Sequence, residues 1–202
     1  MEKYISKKEK ASYGFAAVGS YMVAGITQSY LMYFFTDILI IPSAFVMMLM
    51  IVARVWDALN DPMMGVIVDR TSTKYGKMRP YVLVGSFLML VTTIVLFMPL
   101  TGAPTMFKMI FAAVSYIIFG MAYTLTDVPA MGLMSVATPN SDERASLLSF
   151  YVTVGSVGSL LPVGLLTIFQ SFIPEKYVYF AMSIFVGIIT SAAYLTLFKN
   201  SK

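Results

Sequence analysis

The sequence predicts an all-α membrane protein with six transmembrane helices. Of its 202 residues, 58% are hydrophobic and 12% are charged, and the mean hydropathy is +0.80, whereas soluble domains carry roughly a quarter charged residues. Hydrophobicity is continuous within each apolar stretch, which favours helices over the strands of a β-barrel. Six stretches reach the length of about 20 residues that a spanning helix needs: 13–36, 43–67, 81–100, 106–136, 147–173 and 177–198.

The connections between these stretches are short, so residues 1–202 are predicted to form a single six-helix bundle. Proline, glycine or charged residues mark each of the five connections. The first ten residues are polar and basic, and the apolar stretch after them is longer than that of a signal peptide. We therefore expect the first helix to be retained in the membrane.

Lysine and arginine are distributed unequally between the two sides of the predicted bundle. Eleven of them lie on the side of both termini and of the second and fourth connections, and two, Lys108 and Lys176, lie on the other side. Because cytoplasmic loops are enriched in these residues, both termini are predicted to be cytoplasmic in a multi-pass protein of the inner (plasma) membrane. The eleven are Lys3, Lys7, Lys8, Lys10, Arg70, Lys74, Lys77, Arg79, Arg144, Lys199 and Lys202.

The composition also excludes several function classes. The chain contains no cysteine and no histidine, which rules out disulfides, a zinc site of the usual ligands and any imidazole-dependent triad. We therefore predict neither an enzyme nor a cofactor. The net charge of +4 and the pI near 9.2 arise from short basic clusters between apolar stretches, so anionic lipid is the predicted partner and nucleic acid is not.

Four ionisable side chains lie inside the predicted helices: Arg54, Asp57, Asp61 and Asp127. Each costs about 2.5 to 3.5 kcal/mol at the membrane centre, so four unpaired charges would cost on the order of 10 kcal/mol. At a rise of about 1.5 Å per residue, the three carboxylates lie roughly 12 to 18 Å inside a hydrocarbon core about 30 Å thick. Side chains retained at such a cost are predicted to be functional.

Asp57 and Asp61 are four residues apart and project from one face of their helix, with Arg54 and Asn60 nearby. Two carboxylates this close in a low-dielectric region cannot both ionise cheaply, so a cation, a proton or an arginine must compensate them. Oxygen ligands without imidazole or thiolate favour sodium, lithium or a proton. The alternative is a buried Arg54–Asp57 ion pair that only fixes packing, but it leaves Asp61 and Asp127 unexplained.

Asp127 is followed two residues later by Pro129. Proline removes a backbone donor and frees a carbonyl oxygen in the preceding turn. Together with the nearby threonine hydroxyls, these oxygens predict a polar pocket at mid-depth. The alternative is a proline kink with a satisfied aspartate.

One long string in the second helix resembles that of a known family. It reads Arg54-Val55-Trp56-Asp57-Ala58-Leu59-Asn60-Asp61-Pro62-Met63-Met64-Gly65, followed by Asp69-Arg70-Thr71 and Gly76-Lys77-Met78-Arg79-Pro80-Tyr81. The string resembles the glycoside-pentoside-hexuronide:cation symporters, the melibiose permease group of the major facilitator superfamily. Tyr30–Asp37, Asp127-Val128-Pro129 and Asp142-Glu143-Arg144 extend the resemblance across the chain, which corresponds to the N-terminal six helices, half of a major facilitator fold.

The resemblance implies roles for individual residues. The coupling sodium is assigned to Asp57, Asn60, Asp61 and Thr124, and sugar contacts are assigned to Tyr123 and Asp127. A cytoplasmic gate is assigned to Arg54, Asp69, Arg70, Arg79 and Arg144. Three positions depart from the family pattern: Tyr21 replaces a sugar-binding aspartate, Val152 an arginine and Met131 a tryptophan. Tyr21 is kept as a substrate-site position, and simple galactosides are predicted to bind poorly.

The predicted function is cation-coupled symport, with sodium favoured, of a polar solute such as a sugar or glycoside by alternating access. The alternative is a non-transporting half that serves as a scaffold or regulatory partner. One six-helix bundle supplies one wall of a pathway, so a second six-helix half is expected. The chain is then a piece of a longer transporter, a partner of a separate half, or a homodimer; the polar tail Lys199-Asn200-Ser201-Lys202 favours the homodimer.

Overall fold

The computed structural model describes residues 4–201, which form six helices. The six helices in the described part of the chain agree with the six predicted stretches in number and order. Of these helices, α2 to α6 are long and apolar enough to cross a membrane, and α1 is not. The helices are α1 Lys7–Tyr33, continued by a π-helical segment Phe34–Ile38, α2 Ser43–Arg70, α3 Arg79–Leu96, α4 Thr105–Val136, α5 Ser141–Gln170 and α6 Glu175–Asn200.

Helix α1 has a low hydropathy because it contains many small and hydroxyl-bearing residues. It packs against α5 and α6, and small or hydroxyl-bearing residues, including Ser12, Gly19, Ser20 and Gly25, are buried in it. These residues face protein rather than lipid, so they lower the hydropathy of α1 without exposing polar groups to the bilayer. The crossing of the membrane by α1 stays a prediction.

The helix packing is symmetric between the first three and the last three helices. Helix α1 packs on α5 and α6, helix α4 packs on α2 and α3, and α3 packs on α6. Exchanging the two triplets leaves these contacts unchanged, as in the three-helix repeats of transporters, but α5 also packs on α6 without a contact of similar extent between α2 and α3. Helices α2 and α5 are equivalent by this exchange. In each of them only 17% of the most apolar 18-residue segment is buried, whereas 50% of the corresponding segment of α6 is buried.

Helix ends differ from the predicted stretches where local chemistry decides them. Helix α5 begins at Ser141 because the side chain of Asn140 accepts hydrogen bonds from the backbone N–H groups of Asp142 and Glu143. Helix α3 ends at Leu96, before the predicted end at residue 100, and residue 99 is a proline, which disfavours helical geometry in the residue before it.

Three basic side chains bind the carboxyl ends of neighbouring helices. Arg79 Nη2 donates to the carbonyl of Phe198 in α6 at 2.7 Å, and Arg144 Nη1 donates to the carbonyl of Ser135 in α4 at 3.1 Å. Lys108 Nζ donates to the carbonyl of Leu39, at the end of the π-helical segment, at 2.9 Å. Each bond places a positive charge where the helix dipole is negative. Lys108 is only 6% exposed, so it ties two elements together rather than facing solvent.

Helices α1 and α5 approach closely because Gly25 and Gly158 lack side chains. A Cβ atom at Gly25 would lie 2.6 Å from the carbonyl oxygen of Ser159, and one at Gly158 would lie 2.8 Å from the carbonyl oxygen of Val18. Both atoms that would be struck belong to the backbone, so they cannot move without separating the helices.

We expect Gly25→Ala to lower the free energy of unfolding by about 1 to 3 kcal/mol, because the added methyl group forces α1 from α5. Gly164→Ala is the matched control, since a Cβ atom there would meet nothing within 4 Å. That substitution is expected to be neutral or slightly stabilising. Thermal unfolding of both variants in detergent, followed by circular dichroism, measures the difference; equal stabilities would contradict the close packing.

Candidate functional site

A cavity of about 590 Å³ lies between α1, α2 and α4. Its size is in the range of pockets that hold small molecules. Both polar and aromatic side chains contribute to its wall. Residues lining it include Thr27 and Gln28 from α1, Arg54, Trp56, Asp57 and Asp61 from α2, and Tyr116, Phe119, Gly120, Tyr123 and Thr124 from α4.

The structure brings three of the four predicted cation ligands to this cavity. Asp57 and Asp61 line it from α2, and Thr124 lines it from α4. Thr124 Oγ1 donates a hydrogen bond of 2.7 Å to Asp61 Oδ1. Because this bond uses the only hydrogen of the threonine hydroxyl, the lone pairs of Oγ1 stay available to a cation. Two carboxylate groups and a hydroxyl oxygen therefore converge between two helices.

Gly120 provides the space that Asp57 occupies against α4. A Cβ atom at Gly120 would lie 3.0 Å from Asp57 Oδ1, which is too close for an unstrained contact. Arg54 lies within electrostatic range of Asp57 but forms no ion pair within the described part of the chain. The fixed Arg54–Asp57 pair, the alternative explanation of these charges, is therefore absent from residues 4–201 of this structure.

Asn60, the fourth predicted ligand, lies on α2 beside the cavity. Its amide nitrogen is buried and makes no hydrogen bond. In this orientation the nitrogen contributes no hydrogen bond that would hold the amide group in place. A rotation of the amide group would put its oxygen where the nitrogen now lies. Residues 4–201 contain no group of three or more acidic side chains arranged to hold a metal ion, so the candidate site has two carboxylates and no third.

Asp127 does not line the cavity; it belongs to a buried polar cluster next to it. Ser20 Oγ lies 3.0 Å from Asp127 Oδ1 and 3.1 Å from the Tyr123 hydroxyl. Tyr151 on α5 and Tyr194 on α6 lie near the same carboxylate, and the Tyr151 hydroxyl is buried without a hydrogen-bond partner. We call these five residues the Ser20 cluster. Four helices contribute to it, and Tyr123 is its only member that also lines the cavity.

The hydrogen bond of Asp127 in this structure comes from another helix rather than from the turn before Pro129. The helix continues through Pro129, and the Thr126 hydroxyl donates to the carbonyl of Ala122 in its own helix at 2.7 Å. The partner of Asp127 comes instead from α1, as Ser20. The polar surroundings of Asp127 in this structure are thus formed between helices, and its role in a substrate site stays a prediction.

Tyr21 is directed toward α5 rather than the cavity. A Cβ atom at Gly155 would lie 2.7 Å from Tyr21 Cδ2, and the rings of Tyr21 and Tyr151 pack edge to face with centroids 6.2 Å apart. Val152 is exposed on α5. Of the three predicted substrate contacts, Tyr21, Tyr123 and Asp127, only Tyr123 lines the cavity in this structure; the roles of the other two stay predictions.

Four of the five predicted gate residues lie at helix ends on one side of the bundle. Asp69 and Arg70 are exposed at the end of α2, while Arg79 and Arg144 bond to the ends of α6 and α4. No ion pair joins these four within residues 4–201. Arg54 lies apart from them, in the cavity wall. Their assignment to a gate stays a prediction.

Sequence reasoning missed several residues of the cavity wall. Trp56 is the only tryptophan of the chain, and its indole nitrogen is buried without a hydrogen-bond partner. Tyr116 and Gln28 line the same space. The position of Trp56 next to Asp57 was the one signal in the sequence, whereas the aromatic residues of α4 resemble ordinary packing residues.

Residues 12–202 match the family described as MFS/sugar transport protein. The uncharacterized symporter YjmB of Bacillus subtilis is 37% identical over 161 residues, which cover 79% of this chain and 35% of the relative. The inner membrane symporter YicJ of Escherichia coli is 34% identical over 161 residues, covering 78% and 34%. The isoprimeverose transporter of Lactiplantibacillus pentosus is 27% identical over 199 residues, covering 96% and 41%.

The chain spans about a third of the length of the relatives that it matches, and two fifths in the isoprimeverose transporter. The family match extends over nearly all of the chain and over all six helices. Five of these helices can cross a membrane. The chain is therefore a multi-pass protein of the inner membrane and belongs to the MFS/sugar transport protein family, in the group of glycoside-pentoside-hexuronide:cation symporters.

Proposed function

We propose that the chain takes part in cation-coupled symport of a polar solute, a sugar or a glycoside, by alternating access. The observation that carries the proposal is the Thr124–Asp61 hydrogen bond across the cavity wall, with Asp57 facing the same cavity. Relatives named as symporters, and one named as an isoprimeverose transporter, support the same activity. Sodium is the favoured coupling ion, with lithium or a proton as alternatives.

In the proposed mechanism, a cation binds between Asp57 and Asp61 and offsets their negative charge. Because Thr124 lies on α4 and both carboxylates lie on α2, the bound cation holds these helices together. Tyr123 precedes Thr124 on α4 and lines the same cavity, so a solute would bind against a wall that the cation has ordered. By linkage, the solute must raise the affinity for the cation by the same factor.

A second six-helix bundle is proposed to complete the pathway. Helices α2 and α5 are the least buried, and α2 carries the exposed Asp61 next to the cavity. Lipid at this surface would leave charged groups in hydrocarbon at a cost of several kcal/mol. A second copy of this chain is our favoured partner; a separate half and a longer form of this chain are the alternatives.

The competing function is a scaffold or regulatory half without transport. It predicts no dependence of the purified protein on cation or solute. Symport predicts that sodium stabilises the protein and that a transported solute stabilises it further only when sodium is present. A screen of sugars and glycosides by thermal unfolding, in sodium and in choline buffer, tests the proposal. No stabilisation by any cation would favour the scaffold.

Simple galactosides are expected to bind poorly compared with the solute found in that screen. Tyr21 and Val152 occupy positions where the family pattern has an aspartate and an arginine, so two polar partners of a galactoside are missing. A site that lacks hydrogen-bond partners loses much affinity for a hydroxylated ligand. Calorimetric titration with melibiose in sodium buffer measures the affinity, and tight binding would show that neither position decides specificity.

A further inference from the structure

The Tyr123 hydroxyl is held in a short line of hydrogen bonds that ends at Asp127. Ser20 Oγ forms the middle of the line, at 3.1 Å from the Tyr123 hydroxyl and 3.0 Å from Asp127 Oδ1. Ser20 is 1% exposed, so bulk water does not compete for these bonds. Of these three hydrogen-bonded residues, Tyr123 is the one that borders the cavity.

The chemistry of the three groups sets the direction of both bonds. A serine hydroxyl has a single hydrogen, and a carboxylate oxygen only accepts. Ser20 therefore donates to Asp127 Oδ1, and the hydrogen between Ser20 and Tyr123 must come from the tyrosine. This direction holds while Asp127 Oδ1 carries no proton. A proton on that oxygen would reverse both bonds, and the Tyr123 hydroxyl would then accept from Ser20.

We infer that Ser20 is a specificity-determining residue that fixes Tyr123 as a hydrogen-bond acceptor toward the cavity. The hydrogen of the Tyr123 hydroxyl is used by Ser20, so a solute group that meets this oxygen must donate to it. The inference rests on the proposed function in one respect: it assumes that the ligand of the cavity is a solute. The direction of the hydrogen bonds is independent of transport.

The next residue along α4 has the same polarity. Thr124 uses its hydrogen on Asp61, so neither the Tyr123 nor the Thr124 hydroxyl has a hydrogen left to donate to a ligand. Asp57 and Asp61 add acceptor oxygens to the same wall. This strip of the cavity therefore selects cations and the hydroxyl hydrogens of a sugar, and it disfavours ether, carbonyl or carboxylate oxygens of a ligand at the same point.

The rest of the Ser20 cluster keeps this arrangement dry. Tyr151 is 0% exposed and Tyr194 is 1% exposed, and both side chains lie near Asp127 and Ser20, although the Tyr151 hydroxyl makes no hydrogen bond. The serine hydroxyl can accept more than one hydrogen bond, so these neighbours leave the Tyr123 bond intact. No lysine or arginine belongs to the cluster, so its polarity is set by hydroxyls and one carboxyl group.

The test is the Raman spectrum of Tyr123, because the intensity ratio of the tyrosine Fermi doublet reports whether the hydroxyl donates or accepts. Subtracting the spectrum of Tyr123→Phe from that of the unchanged protein isolates this tyrosine. We expect the pattern of a strong donor, with the lower-frequency band dominant. A pattern typical of an acceptor would overturn the inference, even if Ser20 variants fail to fold.

Ser20→Ala removes the acceptor, and we expect the difference spectrum measured in that background to lose its donor pattern. Ser29→Ala is the matched control, because Ser29 is an exposed serine of the same helix; the spectrum should not change. An unchanged donor pattern in Ser20→Ala would show that another group takes the hydrogen and would reject the role of Ser20. Neither spectrum requires a solute. The two spectra therefore test the hydrogen bonds of Ser20 and Tyr123 whether or not the chain takes part in symport.

Discussion

Sodium is expected to raise the melting temperature of the chain, and Asp61→Asn is expected to abolish that rise. The amide removes one of two negative charges and leaves the shape of the side chain nearly unchanged. A ligand that binds only the folded protein stabilises it by about 2.7 kcal/mol at a hundredfold excess over its dissociation constant. Asp57→Cys should have the same effect, since both carboxylates line the cavity. Thermal unfolding in sodium, lithium and choline chloride measures it.

Two controls separate a cation site from a general effect of charge. Asp69→Asn makes the same substitution on the same helix at an exposed position outside the cavity, and it should keep the full sodium response. Thr124→Ser keeps the hydroxyl that bonds to Asp61 and should keep most of the response, whereas Thr124→Val should weaken it. A sodium response that persists in both Asp57 and Asp61 variants would remove the assignment of the cation site.

The number of helices and their order could be predicted from the sequence because lipid imposes a simple requirement. Every backbone group in the membrane must bond within its own helix, so a helix in contact with lipid shows as a long apolar stretch. The helix least typical in hydropathy, α1, buries small and hydroxyl-bearing residues where it packs against α5 and α6. Its polar residues are explained by neighbours that are distant in sequence.

The acidic pair of α2 was also predictable, because a spacing of four residues within one helix fixes a shared face. The partners of these carboxylates were not. Gly120 has a role only because Asp57 lies against it. Ser20 lies in a run of small residues that looks like a packing surface, yet it binds Asp127 and Tyr123. Contacts between helices depend on rotations that a single sequence does not determine.

Cross-linking between two copies of the chain is the second large effect that we expect. Helices α2 and α5 are equivalent by the symmetry of the packing and are the least buried. In a two-fold dimer the same surface is used on both copies, so α2 of one copy faces α5 of the other. Val55 on α2 and Val157 on α5 are 59% and 61% exposed, and both lie near the middle of their helices.

The chain has no cysteine, so single cysteines can be introduced without a background. Two copies should be expressed together in native membranes, one with Val55→Cys and the other with Val157→Cys, each with a different tag. A cross-linker that reacts with thiols should then join the two tags in one band. A bond within one chain cannot give this result, because each copy carries only one cysteine.

The matched control uses Phe87→Cys on α3 and Ile188→Cys on α6. These positions are 54% and 55% exposed and lie near the middle of helices that pack against each other. As the proposed dimer contact is formed by α2 and α5, the control pair should remain monomeric although its residues are equally apolar and equally exposed. A dimer band in both pairs would mean that random collisions in the membrane produce it.

The same experiment separates the three proposed forms of the complete transporter. A homodimer brings the Asp57–Asp61 pair of each copy to one pathway, so cations, protons or the Arg54 side chains must offset four carboxylates. The sodium response should then be steeper than that of a single site. No cross-link between Val55→Cys and Val157→Cys copies, together with sodium-dependent uptake only when a second protein is supplied, would exclude the homodimer and favour a separate half.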